Sequence, residues 1–142
     1  MSDPVMVQGG ASIQGLNFAR GGIISKPTMP PSVRVGTVTY RISNTPEDWA
    51  QATDATGKVG ETDHTAGLIR LKPGMTGGVL RITLWHEVIH ALMWAVLGGP
   101  KWDNLGDDEE AREEFIVARM EHPTLAVLRD NPALVRYLMG DA

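Results

Sequence analysis

The stretch Thr83-Leu84-Trp85-His86-Glu87-Val88-Ile89-His90-Ala91-Leu92 decides the fold of this chain, because it sets a His-Glu-x-x-His motif within an apolar run. If the stretch is helical, His86 and His90 stand one turn apart on the same face. Two imidazoles in that arrangement can each reach one zinc ion at about 2.0–2.1 Å. Glu87 lies about 100° round the helix from His86. A carboxylate there is beside the metal and can take a proton from a zinc-bound water.

The surroundings of the motif predict a core helix. Between positions 79 and 97, the charged or titratable side chains are Arg81, His86, Glu87 and His90. The remaining residues are apolar on both sides of the helix, so we expect it to be buried all round. Buried titratable groups need partners or a metal. The alternative to a metal site is a hydrogen-bonded pair of core histidines.

Composition limits the possible functions. The chain has 142 residues, no cysteine and a formal net charge of −4. Its length suits one domain with a core of its own. The lack of cysteine excludes thiolate metal ligands and cysteine nucleophiles, so a metal would be held by histidine and carboxylate. The acidic balance predicts no nucleic-acid partner. We also expect no signal peptide, no stretch long enough to span a bilayer and no membrane partner.

The chain divides at about position 32. Residues 1–32 have no helical or strand periodicity and are broken by Gly9-Gly10, Gly21-Gly22 and several prolines. We interpret them as an extended N-terminal arm that lacks a core of its own and is ordered by contacts with other chains. Residues 33–142 form the predicted domain.

The domain is predicted to begin with a small sheet. Residues 33–42 are rich in β-branched side chains and indicate one or two strands bent at Gly36. Thr45-Pro46 starts a short helix to about Ala52. Residues 59–63 and 67–72 then form a hairpin that turns at 64–66. We take Gly67–Lys72 as the edge strand to which a peptide substrate could add.

Helices make up the rest of the domain. The motif helix ends at Gly98-Gly99-Pro100, and a second helix begins at Asp107-Asp108-Glu109-Glu110 and runs to about His122, where Pro123 kinks or stops it. One or two short helices cover 125–129 and 133–139. Strands followed by helices predict an α+β domain.

A third metal ligand is needed besides His86 and His90. Candidates are His64, His122 or a carboxylate, and no histidine follows His90 within the next dozen residues. On the second helix, Glu113 shares its side with the apolar Ile116, Val117 and Met120, so we prefer it. Glu110 and Glu114 remain alternatives as the ligand, and these acids with Glu109 could instead form a solvated face.

The sequence resembles the gluzincin metallopeptidases, in which the HExxH motif is followed by a glutamate on a later helix. More closely, it resembles small phage-encoded minimal zincins, over Val33 to Met139. The matching segments are residues 36–40, 60–64 with 68–71, 84–92, 113–117 and 128–135. The resemblance implies a zincin-like α+β fold, Zn²⁺ held by His86, His90 and Glu113, and Glu87 as the catalytic base.

The implied function is a phage or prophage zinc-dependent endopeptidase, in the host cytoplasm or the virion, acting on a protein or peptide. Tyr40, His64, His122 and Tyr137 are candidate donors to the oxyanion of the reaction. The alternative is a virion structural or interaction protein that keeps the zincin fold and zinc with little or no proteolysis. In that case other phage structural proteins, or copies of this chain joined through residues 1–32, would be its partners.

Overall fold

The computed structural model describes residues 26–98 and 108–140. Its elements, in chain order, are β1 (Ser32–Val35), β2 (Val38–Ser43), α1 (Pro46–Trp49), β3 (Gly60–Asp63), β4 (Leu68–Leu71), α2 (Gly77–Leu97), α3 (Glu109–Asp130) and α4 (Pro132–Met139). The predicted α+β class is therefore confirmed for this part of the chain.

The four strands form one mixed sheet in the order β1-β2-β4-β3. β1 pairs antiparallel with β2, and β3 with β4, whereas β2 and β4 are parallel. The predicted bend at Gly36 is confirmed as a tight turn with φ +60°, a backbone conformation that favours glycine. The prediction that Gly67–Lys72 is the edge is wrong, because β4 is paired on both sides. β3 is the edge strand next to it.

The core lies between one face of the sheet and α2. Alternate strand residues point to this face, where they meet buried side chains of α2, α3 and α4. The strands contribute Val33, Val35, Tyr40, Ile42, Ile69 and Leu71, and the helices contribute Leu84, Val88, Ala91, Leu92, Val127, Leu134 and Tyr137.

The expectation that α2 is buried all round is wrong. Leu84, Val88 and Leu92 are buried, but on the side that carries the histidines Val79 is 61% exposed and Ile82 63%. An apolar composition shows that a helix can be buried and does not show which sides its neighbours cover. The sheet covers one side, and the motif lies at the boundary between the covered and the open side.

We had expected no stretch long enough to span a bilayer, and this expectation is wrong for one helix. By length and composition, Gly77–Val96 could cross a membrane, with a mean hydropathy of 1.2. Core helices pass the same test, and this one places Leu84, Val88 and Ala91 in the domain core.

The second helix was expected to end at about His122 or to be kinked at Pro123, and the end at His122 is wrong, because α3 continues through Pro123 to Asp130. A proline has no N–H for the preceding turn, which costs one helical hydrogen bond. The turns beyond it pack on the sheet through Val127, which is 2% exposed. Tertiary packing thus offsets the local penalty.

Residues 1–25 of the predicted arm lie outside the described part of the chain. The remainder of the arm runs without regular structure to β1, with Met29 against the core and Pro30 buried. These residues contact their own domain. The predicted role of the arm in contacts with other chains stays a prediction.

Asn131 joins the helices to the far edge of the sheet. Its Oδ1 accepts a hydrogen bond from Arg34 N at 2.8 Å, and its Nδ2 donates to Arg34 O at 2.9 Å and Val127 O at 2.8 Å. The side chain is 9% exposed and also lies at the junction of α3 and α4. It therefore satisfies three main-chain groups that would otherwise lose their partners.

We predict that Asn131→Ala lowers the free energy of unfolding by about 2–4 kcal/mol, because it leaves several main-chain groups without a partner. Asn44→Ala is the control, since Asn44 is exposed in the loop after β2. Urea unfolding followed by circular dichroism measures both variants. Equal stability of the two would show that the Asn131 bonds do not hold α3 and α4 on the sheet.

Candidate metal and catalytic site

His86 and His90 are brought together as their spacing on α2 predicts. Their Nε2 atoms are 3.0 Å apart, and the ring planes are 72° from each other. Two nitrogens bound to one tetrahedral zinc at 2.0–2.1 Å would lie about 3.3 Å apart. Both side chains are exposed, so they are not the pair of core histidines considered as the alternative. Without a metal, one Nε2 carries the hydrogen that bonds to the other.

Glu87 lies about 100° round α2 from His86 and points into the domain. It is 4% exposed, and its Oε2 accepts a hydrogen bond from Thr62 Oγ1 on β3 at 2.7 Å. The same hydroxyl lies 2.9 Å from the Glu87 main-chain oxygen. The edge strand thus fixes the position of the carboxylate that the motif provides.

Gly60 makes room for this carboxylate. A Cβ atom at position 60 would lie 2.5 Å from Glu87 Oε1 and 2.9 Å from its Cδ. Among the described residues, Oε1 has no hydrogen-bond donor, and Arg70 Nε is the one buried side-chain N or O atom without a partner. Because Oε1 is not a buried atom without a partner, it keeps some contact with solvent.

A cavity of about 330 Å³ joins the two parts of the motif. Its lining includes His86 and Glu87 of α2 together with Gly60 at the start of β3. The remaining lining residues are Gly57, Lys58, Val59, Ile82 and Thr83. A small molecule or part of a peptide in this cavity would contact the His86 imidazole and the Glu87 carboxylate at once.

The candidate third ligand is not assembled with the histidines. Glu113 is exposed on α3, as are Glu109, Glu110 and Glu114. Within residues 26–98 and 108–140, no group of three His, Asp or Glu side chains is arranged to hold a metal. The N-terminal half of α3 extends beyond the core, where Val117 is 51% exposed. Ligation by Glu113 therefore stays a prediction.

His64 forms a cluster with Tyr40 and Trp94 at the end of β3. His64 Nδ1 is 3.1 Å from Tyr40 Oη, and the His64 ring stacks on Trp94 at 4.3 Å between centroids. Burial lowers the pKa of His64, and a positive charge on His90 lowers it further, while Asp63 opposes the shift. Burial likewise raises the pKa of Tyr40. Both side chains are therefore held in their neutral forms at pH 7.

The other candidate oxyanion donors lie elsewhere. His122 is 89% exposed on α3 and contacts Glu121. Tyr137 is buried in α4, where it lines a different cavity with Arg81 and Pro27. Of the four candidates named from the sequence, Tyr40 and His64 are the two that contact each other.

Sequence reasoning missed the roles of Thr62 and Gly60. They are two positions apart in β3, so the Thr62 side chain and the open space at Gly60 lie on the same face of the strand. A small residue and a hydroxyl two positions apart give no recognisable motif. The contact with Glu87 depends on how β3 packs against α2, which spacing along the chain cannot show.

Comparison with known proteins found no matching family model, no matching curated protein and no matching solved structure. The sequence motif and the geometry of the site are therefore the grounds for assigning a function.

We predict that Gly60→Ala displaces the Glu87 carboxylate and lowers the free energy of unfolding by about 1–3 kcal/mol, because the added methyl overpacks a buried contact. Gly78→Ala is the control, since a Cβ there meets no atom within 4 Å. That change should be neutral or stabilise the helix by up to about 1 kcal/mol. Chemical unfolding gives both values.

A double-mutant cycle identifies the cause. The cost of Gly60→Ala should largely disappear in a Glu87→Ala background, with a coupling energy of about 1 kcal/mol or more. A cost that is the same in both backgrounds would show that the methyl group does not act through Glu87.

Proposed function

We propose that this chain is a zinc-dependent endopeptidase with a zincin-like site, in which His86 and His90 bind the metal and Glu87 is the general base. One observation carries the proposal: His86, whose Nε2 converges with that of His90, and the strand-held carboxylate of Glu87 border the same cavity at a sheet edge. Either feature alone would be compatible with a structural role.

His86 and His90 could supply two of the three protein ligands that a catalytic zinc ion usually has. Zinc prefers nitrogen and oxygen donors where no thiolate exists, and two exposed imidazole Nε2 atoms 3.0 Å apart offer converging lone pairs. The resemblance implies Glu113 as the third ligand, and this carboxylate is exposed on α3, apart from the pair. Ligation by Glu113 would require the first turns of α3 to lie closer to α2.

A bound zinc ion would supply Lewis acidity and an activated water. The chain's own residues supply the proton transfers. Glu87 accepts a proton from the attacking water at Oε1 and passes it to the nitrogen of the leaving amine. Thr62 keeps the carboxylate in place at the cavity by its bond to Oε2.

The outer edge of β3 provides a surface for the peptide. Lys72 N donates to Val59 O, and with the observed register this places the main-chain groups of residues 59, 61 and 63 toward β4. Those of Gly60 and Thr62 then face outward, where no described strand pairs with them. An extended peptide could add there as a fifth strand, with main-chain bonds that are indifferent to its sequence.

We predict that the purified protein binds about one zinc ion per chain and that His90→Ala loses it, because the loss of one of two imidazoles opens the site. His122→Ala should keep its zinc, since this histidine is exposed on α3 away from the pair. Elemental analysis after gel filtration measures all three proteins. Equal zinc content in the two variants would refute His90 as a ligand.

We predict that Glu87→Gln keeps its zinc and its fold while hydrolysis falls by about 10²–10⁴-fold, because the amide cannot accept the proton. Its stability should be equal or slightly higher, since a buried charge is removed. The measurement is a digest of an unbiased peptide library, read by mass spectrometry, with both proteins loaded with zinc. Equal cleavage would remove Glu87 from the mechanism.

A second candidate is a structural or interaction protein that keeps the fold and the histidine pair. The observation that favours it is the exposure of Glu113, Glu110 and Glu114, which leaves the pair without a third protein ligand among residues 26–98 and 108–140. This function would give zinc binding with no cleavage by the wild type across the whole library. The same digest therefore separates the two candidates.

A further inference from the structure

The mechanism above does not use the cluster of His64, Tyr40 and Trp94. A buried phenol, an imidazole and an indole meet at the end of the edge strand, beside α2. Two contacts restrain His64: a hydrogen bond to one ring nitrogen and a parallel stack with an interplanar angle of 12°. A side chain held in this way has a defined orientation before any ligand binds.

The Tyr40 bond fixes the hydrogen on His64. Tyr40 is 1% exposed, so its hydroxyl hydrogen needs an acceptor inside the protein. Among the described residues, the hydrogen-bond partner of Tyr40 Oη is His64 Nδ1. The phenol therefore donates to Nδ1, and the hydrogen of the neutral ring must be on Nε2. His64 is thus held as a hydrogen-bond donor at Nε2.

The cluster lies beside the histidine pair. Trp94 follows His90 by four residues, so the two share one face of α2. His64 lies in the turn directly after β3, two residues beyond Thr62, and its ring stacks on Trp94. The His64 ring therefore lies against α2, close enough to the histidine pair to feel the charge of His90.

We propose that His64 is a further catalytic residue of the proposed peptidase: its Nε2–H donates a hydrogen bond to the carbonyl oxygen of a peptide laid along β3, and Tyr40 is the residue that positions it. This inference rests on the proposed function. The bond would strengthen as negative charge develops on that oxygen during attack. His64 donates only a hydrogen bond and gives up no proton. Glu87 alone carries the proton from the attacking water to the leaving amine.

The kinetic test uses zinc-loaded protein and a peptide that the wild type cleaves. His64→Phe can keep the stack on Trp94 but lacks the donor, and we expect kcat to fall by about 10²–10³-fold with little change in KM. Tyr40→Phe removes the hydrogen bond to His64 Nδ1, so His64 can adopt either tautomer, and kcat should fall by a smaller factor. His122→Phe is the control and should leave kcat unchanged. Zinc content should be equal in all four proteins.

A second test needs no turnover. Nitrogen NMR of protein labelled with ¹⁵N-histidine reports which ring nitrogen of His64 carries the hydrogen, with and without zinc. We expect the Nε2–H form in the wild type and a mixture of forms in Tyr40→Phe. The Nδ1–H form in the wild type would overturn the inference, even if His64→Phe were poorly folded.

The outcomes separate this inference from the proposed function. A His64→Phe protein that cleaves at the wild-type rate, while Glu87→Gln does not cleave, overturns the role of His64 and leaves the peptidase standing. A wild type that cleaves no peptide overturns both. Loss of kcat in His64→Phe with retained zinc and an Nε2–H tautomer in the wild type supports the inference.

Discussion

The hydrogen bond from Thr62 to Glu87 is the interaction on which the rest of the site depends. It joins the edge strand to the middle of α2 and points Glu87 toward the sheet. Helix geometry then fixes the other motif residues, because His86 and His90 lie about 100° and 60° round the helix on one side of Glu87. The histidines are therefore set at the rim of the core with their Nε2 atoms together. Gly60 is part of the same constraint, since any side chain there would displace the carboxylate.

Charge explains why the two halves of the motif belong together. An ionised carboxylate in a buried place costs free energy, and the donor that Glu87 has among the described residues is a neutral hydroxyl. A cation at the neighbouring histidine pair would offset that cost. The imidazoles in turn need a proton or a metal between them at 3.0 Å. A cation at the histidine pair and the Glu87 carboxylate would therefore attract each other.

The sequence predicted the elements that local chemistry determines. Thr45 caps α1 as expected, with its side chain accepting from Asp48 N, and the turns at Gly36 and at 64–66 follow from local preferences. The i, i+4 spacing alone was enough to bring His86 and His90 together. These features depend on residues close to each other in the chain.

What the sequence did not predict depends on contacts between distant segments. The parallel pairing of β2 with β4 makes β3 the edge strand, and nothing in residues 67–72 distinguishes an inner strand from an outer one. Likewise, the apolar residues of α2 did not show which side the sheet would cover. The helix continues beyond Pro123 because Val127 packs in the core, which the local sequence could not show. Glu113 shares its side with apolar residues, but that part of α3 extends beyond the core.

X-ray absorption spectroscopy at the zinc edge tests the central claim most directly, because it counts and identifies the atoms around the metal. We predict two imidazole ligands and further oxygen or nitrogen ligands, with zinc–ligand distances of about 2.0–2.1 Å. The imidazole contribution should fall by half or vanish with the metal when His86 is replaced by alanine. Zinc bound without imidazole scattering, or protein that takes up no zinc at all, would contradict it.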